Sequence, residues 1–176
     1  MGMTADDKPT YEELEAQNRA LKKHIDALNR YYRAVVEALR QEKDLAQQYL
    51  DITPSLILAL DVHGTITLLN KSGADILECD QEEAVGCDWF STFLPERKRD
   101  AVRDIFNQLM QGEIEPFEHF ENLVLTKKGH EKIVLWHNTL LRESTGKILG
   151  ILASAEDITE RRQVEEQLAE HQRLLQ

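Results

Sequence analysis

The chain reads as an α+β domain held between two long helices, and three observations predict it. A stretch free of Gly and Pro, residues 10–48, repeats apolar residues at heptad spacing. Near the C-terminal end two apolar runs, 133–141 and 148–155, are each too short for an ordinary helix. The polar turn Arg142-Glu143-Ser144-Thr145-Gly146 joins them. The second run passes without a break into a Glu- and Arg-rich helical pattern, so one strand is wired directly to an outgoing helix.

Composition bounds the rest. With 176 residues there is room for one domain and helical extensions. A net charge of −11 argues against a nucleic-acid module, whose footprint would be a basic stripe. No stretch approaches 18 apolar residues and the start lacks a signal-peptide core, so neither a membrane span nor export is expected, and a cytoplasmic location is. Cys79 and Cys87 form no CxxC pair and read as reduced thiols. There is no GxSxG, P-loop, HExxH or zinc-spaced Cys/His cluster. Carboxylates such as Glu12-Glu13 and Glu165-Glu166 lie in solvated helical contexts, so no catalysis is expected and no metal site either.

Residues 1–9 are expected to be a disordered tail. In 10–50, Leu14, Leu21, Leu28 and Val35 recur every seven residues, with Asn18, Ile25, Tyr32 and Leu39 four beyond each. This predicts a coiled-coil helix that makes a homodimer through Leu14, Leu21, Ile25, Leu28, Tyr32 and Val35. A single amphipathic helix packed on its own domain is the alternative. Thr53-Pro54 ends the helix. Residues 56–60 and 65–69 form a hairpin about Asp61-Val62-His63-Gly64, with Gly64 supplying positive φ and His63 a solvated turn residue. Asn70 caps a short helix through Leu77, and Asp80 with Glu83 caps another turn ended by Gly86. Pro95 takes the first position of a helix whose stripe is Val102, Ile105, Phe106, Leu109 and Met110, stopped at Gly112. Residues 117–126 are the next strand, turned by Lys127-Lys128-Gly129 into the last hairpin. The sum is a five-stranded antiparallel sheet with helices on one face. By alternation Ile57, Ala59, Leu123, Ile133 and Leu135 point to the other face. Being apolar they predict a cover, for which 39–50 is the nearest segment. His119 and His137 fall opposite each other on that face; such a pair could bind metal or sense pH, but without a third ligand it reads as incidental.

Trp136-His137-Asn138-Thr139 with Leu141-Arg142, then Gly146, Gly150 and Asp157-Ile158-Thr159 followed by Glu160-Arg161-Arg162, resemble the C-terminal half of a PAS domain (sensory box). The likeness reaches back to about Tyr49. The resemblance implies a PAS domain over 51–159, between the dimerisation helix and a signalling helix over 160–176. It implies a cavity between sheet and helices, with Val134, Trp136 and Asn138 facing Leu58, Leu60, Ala153 and Ala155. That interior is either a ligand pocket or a filled core. Light-sensing relatives place a reactive Cys after Gly86, where this chain has Trp89 with Cys87 two residues away. Haem-binding relatives use a His on the long helix, and 95–110 contains none; CxxCH is absent too. A non-covalently held flavin or another small organic ligand stays open, with Trp136 as the stacking face. Asp157 and Thr159 stand where the last strand becomes the exit helix, whose Val164, Leu168, His171 and Leu175 form a second seam. The function implied is a sensor of a small-molecule, redox or protein signal in a bacterial-type signalling protein such as a two-component system. Its effector, a histidine kinase or cyclic-dinucleotide enzyme, lies outside this chain. The alternative is a constitutive dimerisation scaffold with a filled core.

Overall fold

Thr10 starts the first helix by a reciprocal bond pair. Its hydroxyl accepts from the Glu13 N–H (3.3 Å), and the Glu13 carboxylate accepts from the Thr10 N–H (2.8 Å). Two otherwise unpartnered backbone donors are satisfied at once. The computed structural model describes residues 9–112 and 119–174, so the tail 1–8, Phe117, Glu118 and Leu175 lie outside the described residues. The chain divides into two units, Met1–Ala46 and Gln47–Gln176. Helix α1 (Tyr11–Ile52) supplies the first and runs on into the second, and none of its residues is buried.

In the second unit the order is β1 (Leu56–Asp61), β2 (Ile66–Leu69), α2 (Lys71–Leu77), α3 (Gln81–Ala84), α4 (Trp89–Phe93), α5 (Glu96–Met110), β3 (His119–Leu125), β4 (Glu131–Arg142), β5 (Ile148–Asp157) and α6 (Thr159–Leu174). The strands form one antiparallel sheet in the order β2-β1-β5-β4-β3. β4 and β5 outrun the apolar runs that mark them, because ladder pairing continues through Glu131 and Asp157 whatever their polarity. β2 begins one residue late, since Thr65 bridges to Asp88 instead. Pro95 stands just outside α5 rather than inside it. Its ψ of 139° is extended, and its carbonyl accepts from Lys98 to open the first turn.

Gly64 has φ +87° in the β1–β2 turn, and a Cβ there would sit 2.3 Å from the Phe90 ring. The turn therefore needs glycine for both conformation and packing. Gly150 on β5 is required by proximity, because a Cβ would lie 1.9 Å from the Leu60 carbonyl oxygen.

Asn70 holds the start of the domain together. It is fully buried. Its Oδ1 accepts from Ile57 N–H (2.8 Å) and Gly73 N–H (2.9 Å), and its Nδ2 donates to the Leu50 and Ser55 carbonyls (both 2.9 Å). One side chain thus caps α2, fixes the head of β1 and anchors the end of α1. At the other end of α2, Glu78 is the one non-glycine among the described residues with positive φ (54°). Its carboxylate accepts from the Thr126 hydroxyl (2.6 Å) and from His130 Nδ1 (2.7 Å), clasping the β3–β4 hairpin to α2. Those bonds hold the Glu78 carboxyl below its usual range.

The core fills the space between the inner face of the sheet and α2–α5. On the outer face Ala59 is buried, whereas Ile57, Leu123, Ile133 and Leu135 are half-buried. Asp80 caps α3 through Glu82 and Glu83 N–H.

Candidate functional site

Ladder register sets the floor of the interior. Asn138 lies opposite Ala153, and Ala153 opposite Leu58; Leu60 lies opposite Ile151; Trp136 lies opposite Phe120 on one side and Ala155 on the other. Ala153 at the centre of the sheet leaves room that a branched residue would fill. Above this floor α4 and α5 bring Trp89, Phe90, Phe106 and Leu109. Trp89 meets Trp136 edge-on (5.5 Å, 85°) and Phe90 meets Phe106 likewise (5.3 Å, 78°). A cavity of about 60 Å³ remains between them.

Of the residues that sequence alternation aims inward, Trp136, Asn138, Leu58, Leu60 and Ala153 line this cavity. Val134 and Ala155 do not, although both are buried and face inward. Val134 lies opposite Asn122 and Asp157, toward the exit-helix end of the sheet, and Ala155 shares its row with the buried Leu56 and Trp136. Alternation gives the face a side chain points to and not how far the void extends along it. The roof residues Trp89, Phe90, Val102, Ile105, Phe106 and Leu109, with Phe120, Asn122 and Ile151, complete the lining. The α5 stripe was the available signal for four of them. Met110 packs against the core outside the lining.

The polar groups of the lining are the Asn122 and Asn138 amides and the Trp89 and Trp136 indoles; no lining residue is charged, cysteine or histidine. Arg103 closes the roof from outside, stacked 4.1 Å over the Phe90 ring and paired with Asp88 at 3.3 Å. Burial pushes the Asp88 carboxyl up, but bonds from Ser91 and Arg103 outweigh it and leave the group below its ordinary value. Cys87 gives its thiol to the Glu83 carbonyl (3.2 Å), and with Cys79 it lines a separate surface crevice. Burial raises the Cys79 thiol, which keeps it a poor nucleophile. A cavity of about 150 Å³ takes one benzene ring, so the 60 Å³ here does not fit a flavin.

At the exit, Asp157 Oδ1 accepts from the Thr159 N–H (3.0 Å) and hydroxyl (2.6 Å), as a cap should. Thr159 has a different part: its hydroxyl oxygen accepts from Ile133 N–H (2.9 Å), while Ile158 N–H donates to the Ile133 carbonyl. Lys132 pairs with Asp157 (3.3 Å) and Arg162 with Glu121. The first turn of α6 is therefore stitched to β4 and β3 as well as continuous with β5. Among the described residues no helix is long and apolar enough to cross a membrane, and no three metal-ligating side chains gather.

An open five-stranded antiparallel sheet, roofed on one face by helices around a small uncharged cavity, defines an α+β domain of open-sheet type. The chain belongs to the PAS fold family, whose profile matches residues 50–163. No match was found among curated proteins. Among solved structures it is similar to a PAS domain from Colwellia psychrerythraea (18% identity, 70% of this chain and 98% of that one, TM-score 0.56). It is similar also to the PAS domain of an HTR-like protein from Haloarcula marismortui (22%, 72% and 99%, 0.56). A third is the PAS domain of the RpfR quorum-sensing receptor from Cronobacter turicensis in complex with C12:0 (23%, 61% and 96%, 0.50).

Proposed function

We propose that this chain is a cytoplasmic sensor module that is itself non-catalytic. Its cavity takes a small uncharged organic molecule, and occupancy is relayed through paired helices to an effector domain outside this sequence. The observation that carries the reading is the residual void of about 60 Å³ bounded by Trp136, Trp89, Phe106 and Asn138, where close-packed cores hold few voids larger than a water molecule. Each water's share of the liquid is about 30 Å³, so the void suits a molecule of a few heavy atoms unless α5 shifts. The RpfR relative was solved with C12:0 bound. Here no lining side chain is cationic, and an unpaired buried carboxylate is costly, which favours a neutral ligand that uses the amides and indoles.

The relay rests on the helices. Leu21 and Leu28 of α1 are 57% and 59% exposed, an apolar seam that a second copy would cover over 10–50. Val164 and Leu168 are likewise exposed on α6. Asp157 and Thr159 join that helix to β4, so a displaced β4 would alter its direction. The test is native mass spectrometry of the purified chain, followed by thermal shift with matched neutral and anionic probes such as butanamide and butyrate. A fixed added mass, or a melting rise with the neutral probe only, is expected. No added mass, no rise with any probe and a crystal structure without a void would establish the filled scaffold instead.

A further inference from the structure

We propose that His119 and His137 form a bis-imidazole site for a divalent transition metal, Cu²⁺ or Ni²⁺, on the outer face of the sheet. The two residues are Cα partners in the β3–β4 ladder, and both are exposed. Ile133 directs its N–H to Thr159 and its carbonyl to Ile158, away from β3. Strand alternation gives His137, four residues on, the same orientation. His119 and His137 are therefore a non-hydrogen-bonded pair, the arrangement in which facing side chains approach most closely. Their rings lie 4.4 Å apart between centroids, at 76°.

That spacing selects a geometry. A metal–nitrogen bond of about 2.0 Å plus about 1.1 Å to the ring centre puts each centroid about 3.1 Å from the ion. Two rings at a right angle about the ion are then about 4.4 Å apart, and two at the tetrahedral angle about 5.1 Å. The observed separation matches the right angle, which tetragonal Cu²⁺ and Ni²⁺ prefer and tetrahedral Zn²⁺ does not. Rotation of each ring about its last torsion turns one nitrogen toward the shared point. The strands fix the backbones, so little ordering remains to be done on binding.

The surroundings are permissive. The ladder row through the pair continues to Ser154 and Ile57, with no cation in it. Along β3 the next residue on this face is Glu121, held by Arg162; across from Leu135 on β5 stands Glu156. No third ligand joins among the described residues, so water completes the coordination. Protons compete for the same lone pairs, and affinity falls on acidification. The ion would also act on the cavity. Phe120 and Trp136, the neighbours of these histidines in sequence, form the next ladder pair and face inward to line it. A metal bridging His119 to His137 thus ties together the two strands that carry the aromatic wall.

The experiment titrates the full chain with Cu²⁺ and with Ni²⁺ by calorimetry, and records the electron paramagnetic resonance of the Cu²⁺ form. One ion per chain and two histidine nitrogens in the spectrum are expected. His119→Ala or His137→Ala should each weaken binding at least tenfold and leave one nitrogen. His24→Ala and His63→Ala should change nothing. Unchanged affinity in the His119→Ala/His137→Ala double variant overturns the site. So does a spectrum of the unsubstituted chain with fewer than two histidine nitrogens, a result independent of how any variant folds.

Discussion

Replacing Asn70 by Ala should cost far more than loss of a helix cap. An exposed cap is worth about 1 kcal/mol. Here the side chain is fully buried and makes four bonds of 2.8–2.9 Å, to Ile57, Gly73, Leu50 and Ser55. At about 0.5–1.5 kcal/mol net for each bond, with a larger penalty for any partner left dry, the loss is about 3–5 kcal/mol. Asn70→Ser restores a cap oxygen but no amide donor and should recover part of that. Asn70→Asp keeps the two accepted bonds yet turns a carboxylate toward the Leu50 and Ser55 carbonyls, so it should be nearly as damaging as Ala. The assay is urea unfolding followed by the fluorescence of the buried Trp89 and Trp136. A loss of about 1 kcal/mol or less for Asn70→Ala would refute the four-bond account and reduce Asn70 to an ordinary cap.

Glu substituted at both Leu21 and Leu28 places charge in the α1 seam, and light scattering should show monomers with an unchanged core; an unchanged mass would show that the seam is not the dimer contact. Trp136→Ala removes a cavity wall and should cost about 3–5 kcal/mol by chemical denaturation, together with any co-purifying ligand. Asp157 is pushed up by burial, but the bonds from Thr159 and Lys132 prevail and lower its pKa below the ordinary 3.8. A lowered folded pKa contributes stability above the unfolded value that is lost as pH falls through the folded one. The melting-temperature gap between the unsubstituted chain and Asp157→Asn should therefore be full at pH 7 and close below about pH 3.8; a gap that persists in acid would exclude this pairing.

How much of this could be read in the residues depends on the range of the interaction. The Asn70 cap follows from a spacing of three residues, and the α5 stripe from a spacing of three and four; both are local, and the α5 stripe supplied four of the six roof residues. The other three Asn70 bonds reach 13 to 20 residues away and exist only once the fold is made. Glu78 takes the left-handed position that closes α2, with its own N–H and that of Cys79 on the carbonyls of the last turn; its carboxylate then reaches Thr126 and His130 some 50 residues on, partners that no local spacing names. Alternation assigned the inward set, yet Val134 and Ala155 fell beside the void. Its outline depends on what α4 and α5 lower into it, and strand periodicity does not encode that. Thr159 looked like a cap by position; its hydroxyl donates to Asp157 and accepts from Ile133, the second a partner only the folded sheet could name.

Gly150 has a mechanical consequence for the exit helix. Its contact with the Leu60 carbonyl leaves no clearance for a side chain, so sliding β5 by a residue against β1 would drive Leu149 or Ile151 into that oxygen. The strand that feeds α6 is in effect keyed to its neighbour and barred from moving along its own length. Whatever β5 passes to α6 must then travel as bend or torsion about a fixed point, the way a spindle locked in its bearing can turn but not advance.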